Sequence, residues 1–189
     1  MNHHDMRQFD LIKFARAHAH QDVPLTGKLL LAELPRLLAE NVEDAPDTPP
    51  ILWSLQNTHH PRIGKHSRRL CVALQLEAHI WLICQRCLQP YLHTLSLNNT
   101  FELMKTEAEA EAAPIEEDDV DPIVGSHQFD LLGLIEEELL LALPLVPRHE
   151  VCTHPALASL PISSHQTEEA ARPSPFAQLA ILQTKKGAQ

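Results

Sequence analysis

Apolar and polar residues alternate with period two along three stretches: ILWSLQN (51–57), RRLCVALQLEAHIWLIC (68–84) and YLHTLSLNNTFELM (91–104). In the second, Leu70, Val72, Leu74 and Leu76 share one face, which Ile80 and Leu82 continue. In the third the same face takes Leu95, Leu97, Phe101 and Leu103. Side chains along a strand point alternately to its two faces, so these runs predict half-buried strands. Their short polar connections predict an antiparallel meander.

Elsewhere the spacing turns helical. FDLIKFARAHAH (9–20), with Phe9, Leu11, Ile12, Phe14 and Ala15 apolar, predicts a short N-terminal helix. LTGKLLLAELPRLLAEN (25–41) starts as a strand and continues as a helix with Pro35 near its first turn, ended by Asn41 and the Pro-rich EDAPDTPP. A strongly apolar helix is predicted over Leu131–Leu143, with Asp130 as N-cap and Pro144 as stop. PFAQLAILQTKK, with Pro175 at its first position, predicts a last short helix. There are no internal repeats. The pattern therefore predicts one α+β domain over residues 1–189: an antiparallel meander carrying a long packed helix, with short helices at its flanks. Residues 105–127 are expected as a flexible acidic loop and 155–173 as an irregular segment.

Composition narrows the function. Apolar residues make up 44% and aromatics only 4%, so the core is aliphatic and an aromatic platform for stacking bases is not expected. Five glycines against fifteen prolines leave little material for a nucleotide cradle. The chain has no apolar signal region at its N-terminus and no run of eighteen apolar residues. Its four cysteines do not form a disulfide framework. A soluble, cytoplasmic protein is expected. The net charge of −10 is uneven, because EAEAEAAPIEEDDVD (107–121) alone holds eight acids and no base, leaving the rest near neutral. The one basic patch is HHPRIGKHSRR (59–69), where Arg62, Lys65, Arg68 and Arg69 offer permanent charge for a phosphate backbone.

The candidate chemistry centres on Cys84 and Cys87 in ICQRCLQP. A redox pair stands at a helix start, whereas this one ends a strand and precedes Pro90. A turn between strands is a common place for two zinc thiolates, and His149, Cys152 and His154 after the long helix offer the remaining ligands. Packed or free thiols are the third reading. Cys71, alone in an apolar strand, reads as a small core residue. Glu136, Glu137 and Glu138 fan over about 200° of one helix and read as a polar face. The thirteen histidines include no H-x-x-x-H or H-E-x-x-H, and there is no G-x-S-x-G, so no enzyme is expected.

Four segments together resemble the YceD family, the large ribosomal RNA subunit accumulation proteins: C-Q-R-C (84–87), the acidic run, FDLLGLIEEELLLALPLVPRH (129–149) and PSPFAQLAIL (173–182). The resemblance implies a non-enzymatic factor in large-subunit biogenesis that supports synthesis, processing or stability of 23S rRNA. It implies as partners the pre-50S particle, 23S rRNA or its precursors, ribosomal proteins or assembly factors, with no membrane and no small-molecule substrate. Arg86, inside the C-Q-R-C turn, joins the four bases of 59–69 as a candidate RNA or partner contact. The alternative is a zinc-binding adaptor that uses Cys84, Cys87 and Cys152 to meet another protein without touching RNA.

Overall fold

The structure is a computed structural model and describes residues 3–17, 23–58, 70–113 and 120–152. In chain order it contains α1 (His3–Arg7), α2 (Leu11–Ala17), β1 (Leu25–Leu29), a 3-10 turn (Leu31–Glu33), α3 (Pro35–Glu40), β2 (Ile51–Thr58) and β3 (Cys71–Ile83). There follow β4 (Pro90–Met104), α4 (Glu107–Glu111), β5 (Val120–Val124) and α5 (Leu131–Leu141). The fold is α+β, as expected. The basic segment 59–69, His154, the irregular 155–173 and the C-terminal helix expected after Ser174 lie outside the described residues.

The strands form one sheet in the order β1-β2-β3-β4-β5. β1 to β4 pair antiparallel, which is the meander that the alternation predicts. β5 departs from it by pairing parallel to β4, so the sheet is mixed. Pro122 lies inside β5 and lacks an N–H, a defect that an edge strand tolerates because one of its sides faces no partner strand among the described residues. Within 105–127, expected as a flexible loop, residues 107–111 are thus helical and 120–124 extended. Thr106 caps α4 by accepting a hydrogen bond from the Glu109 N–H.

The N-terminal helix begins later than predicted, and its expected end at 18–20 lies outside the described residues. Phe9 is extended and exchanges both backbone hydrogen bonds with Phe129, and the Asp10 carboxylate accepts from the Lys13 N–H, so α2 begins only at Leu11.

One sheet face is apolar. Ile51, Trp53 and Leu55 of β2 and Val72, Leu74, Leu76, Ala78, Ile80 and Leu82 of β3 are buried, each set with the period of two that puts it on one side. On this face α5 packs against β3, α1 and α3. Its buried Leu131, Leu132, Ile135 and Leu139 form one stripe, and each such side chain contributes about 2 kcal/mol. Asp130 caps α5 as predicted, accepting from the Gly133 N–H, and the helix ends with Ala142 as its C-cap. Cys71 is fully buried, in keeping with a core residue. Across the opposite, polar face runs a groove of about 600 Å³ whose lining includes Lys28, Glu77 and Asn98.

The polar-face reading of the three glutamates fails for two of them. Glu136 is buried, and its carboxylate accepts from the backbone N–H groups of Arg36 and Leu37 and from the Arg36 Nε. Those amides open α3, whose own N-cap Leu34 supplies no side-chain acceptor. Glu138 accepts from the Asn99 Nδ2 on β4. Helical periodicity sees neither neighbour, because both arrive from other elements.

Candidate metal centre

β3 and β4 continue beyond β2 as a two-stranded arm, paired up to Ile83 and Pro90. Residues 84–89 close its tip. The Cys84 N–H donates to the Gln89 carbonyl at 3.0 Å, extending the ladder by one rung, and the Leu88 N–H donates to the Cys84 carbonyl at 2.8 Å. This second bond folds the four-residue turn back on itself, with Leu88 in the left-handed region at φ 57°. Both cysteines then face the same side of a knuckle.

The other half of the site comes from the chain after α5. Pro144 and Pro147 keep that segment out of a helix. It lies along the knuckle because the Gln85 N–H donates to the Pro147 carbonyl at 2.8 Å. The His149 N–H reaches the Cys84 sulfur at 3.4 Å, and the His149 ring lies against Tyr91 with centroids 4.8 Å apart.

These contacts bring Cys84, Cys87, His149 and Cys152 together, with all ligand atoms within 4.8 Å of one another. Cys84 Sγ is 3.7 Å from Cys152 Sγ, Cys87 Sγ is 3.3 Å from His149 Nδ1, and Cys152 Sγ is 3.9 Å from the same nitrogen. A tetrahedral ion bound about 2.3 Å from sulfur and about 2.0 Å from nitrogen requires S···S edges of about 3.8 Å and S···N edges of about 3.5 Å. The group could therefore hold a metal ion. All four cysteines are free thiols.

The electrostatics are those of crowded sulfurs. Burial pushes the Cys84 thiol up, but N–H donors from His149, Cys87 and Arg86 outweigh it and hold the group at about 5. Burial, then the Cys84 and Cys87 sulfurs, push Cys152 up to about 11. A divalent cation between the sulfurs removes that mutual repulsion.

Among the residues proposed from sequence, Cys84, Cys87, Cys152 and His149 thus converge. Arg86 is exposed in the knuckle, next to the ligands. Arg62, Lys65, Arg68, Arg69 and His154 fall outside the described residues. The Tyr91 ring, the Pro147 latch and the conformation of Leu88 were not foreseen. Of these, only the paired prolines 144 and 147 leave a trace in the sequence, as a stretch that can be neither helix nor central strand.

Residues 72–183 match the family model described as Large ribosomal RNA subunit accumulation protein YceD. A Haemophilus influenzae protein of the same name is 37% identical over 107 residues, which cover 55% of this chain and 60% of that protein. No solved structure matches the chain.

Proposed function

The chain belongs to the YceD family, and from that premise we propose that it supports accumulation of the large-subunit ribosomal RNA in the cytoplasm. The family match over residues 72–183 carries this reading. The mode of action is binding without catalysis, toward 23S rRNA precursors, ribosomal proteins or assembly factors of the pre-50S particle. Arg62, Lys65, Arg68 and Arg69 are proposed as the phosphate-contacting bases, since clustered cations are what a nucleic-acid backbone recognises.

In this reading Cys84, Cys87, His149 and Cys152 hold one zinc ion. Four protein ligands complete a tetrahedron and leave no position for water, which is the coordination of a structural site and not of a hydrolytic one. The ion ties the segment after α5 to the tip of the β3–β4 arm and so makes one rigid surface from two remote parts of the chain.

The test is the ribosome profile of cells that lack the protein. Sucrose gradients are expected to show fewer free large subunits, and RNA analysis a lower ratio of 23S to 16S rRNA, both restored by the wild-type gene. Normal large subunits and an unchanged ratio would sink the reading.

A further inference from the structure

We infer that the rim of the metal centre docks a protein segment whose apolar side chains are flanked by carboxylates. The inference builds on the metal-centred reading, because the centre is what holds the rim in one shape.

Leu88 provides the first observation. Its φ of 57° is a conformation that glycine adopts freely and a branched side chain only at a cost. The side chain is nonetheless 72% exposed, so the fold gains no packing from a leucine there. Three more large apolar side chains stand out around the same centre: Leu145 at 97%, Val146 at 56% and Val151 at 75% exposure. Chain connectivity keeps them there. Leu88 follows Cys87, Val151 precedes Cys152, and Val146 precedes Pro147, whose carbonyl is bonded to the knuckle. Exposed apolar side chains gathered at one place mark a binding surface more often than chance does.

Charge decides the partner. Arg86 and Arg148 are exposed beside these residues, and neither forms an ion pair among the described residues. Over residues 84–89 and 144–152 these two guanidinium groups outnumber the single exposed carboxylate, Glu150, so the rim suits carboxylates or phosphates of a partner. The aliphatic side chains separate those two. They have no π face on which a base could stack, and they gain free energy only by excluding water from another apolar surface. A protein segment with both apolar and acidic side chains satisfies the whole rim, whereas RNA satisfies only the arginines.

The full-length protein with a photo-crosslinking benzoylphenylalanine in place of Leu145 tests this in living cells, with the same group in place of the distant Leu30 as control. The expected adduct resists ribonuclease, joins a different protein at a peptide bearing apolar and acidic residues, and disappears when Arg86→Glu and Arg148→Glu are combined. A synthetic peptide of that sequence is then expected to bind the wild-type chain about tenfold or more tightly than a Leu88→Gly variant. That variant should keep its metal and its thermal midpoint, since glycine suits the turn. An RNA adduct, an adduct to a second copy or to residues beyond 152 of the same chain, no adduct above the Leu30 control, or equal peptide affinity would overturn the inference. Measuring 23S rRNA in the same strains keeps the two readings apart. Normal rRNA without the protein removes the biogenesis function and leaves the docking result standing, whereas an RNA-only adduct does the reverse.

Discussion

The sulfur of Cys84 lies 3.7 Å from that of Cys152, although 68 positions of chain, including β4, α4, β5 and α5, separate them. A disulfide needs about 2.0 Å, whereas the observed separation is close to the S···S edge of about 3.8 Å that a tetrahedral metal site requires. Protein purified under reducing conditions is therefore expected to carry one equivalent of zinc by elemental analysis. Losing an outer-sphere partner of a metal site costs roughly 10–100-fold in affinity, so Cys84→Ser or Cys152→Ser, which remove a ligand, should cost more. Cys71→Ala should keep the full equivalent, because Cys71 lies outside the cluster. Metal retained in both serine variants would refute the site.

Removing the metal should loosen one place before the rest. The Gln85 and Leu88 amides are bonded to the Pro147 and Cys84 carbonyls, inside the turn that the ion would clamp. The Leu55 and Leu74 residues sit opposite each other in the central ladder. With a zinc chelator, hydrogen exchange at Gln85 and Leu88 should accelerate strongly while Leu55 and Leu74 stay protected. The thermal midpoint should fall as well, since a ligand at a thousandfold excess over its Kd stabilises the folded state by about 4 kcal/mol. Uniform acceleration across the sheet would mean that the ion supports the whole fold and not the arm.

The meander was legible because alternation along β2, β3 and β4 is a local signal, repeated over many residues. β5 was not, because VDPIV is five residues long, contains Pro122 and follows a run of acids. Its place in the sheet comes from the parallel partner and not from its own pattern. Glu136 shows the same limit from the other side. The helix places three glutamates in a row, and only the arrival of α3 decides which of them is buried. The metal ligands were legible as residue types, since C-x-x-C in a turn and a later His/Cys group suit zinc. Their meeting was one of the readings the sequence allowed; the Gln85–Pro147 latch that brings it about was not legible, because it joins backbone groups of two remote segments.

Gly27 gives a prediction that needs no metal. It pairs with Trp53 across β1 and β2, and a Cβ built on Gly27 would lie 2.6 Å from the indole ring. The ring covers the glycine, and Trp53 is itself buried, so it has little room to move. Gly27→Ala should destabilise the protein by about 2 kcal/mol and shift the tryptophan emission. A variant as stable as wild type, with unchanged emission, would show that the indole can leave the glycine at no cost.

Glu136 links α5 to α3 through charge, so its contribution must depend on pH. Burial alone raises a carboxyl group, but hydrogen bonds from the Arg36 side chain, the Arg36 N–H and the Leu37 N–H outweigh it and hold Glu136 below its ordinary 4.5. A carboxyl depressed on folding adds stability that is present above its unfolded pKa and lost as pH falls through the lower folded value. Denaturant unfolding of wild type and Glu136→Gln should therefore differ by about 1–2 kcal/mol at pH 7, the range for losing a helix cap. The gap should narrow steadily as the pH drops from 4.5 toward 3. Glu137→Gln is the control: its carboxylate is 59% exposed and meets Arg36 only at 3.4 Å, so its effect should stay below about 0.5 kcal/mol. If the Glu136→Gln gap is the same at pH 7 and pH 3, the carboxylate is not acting through its charge, and shape alone joins the two helices.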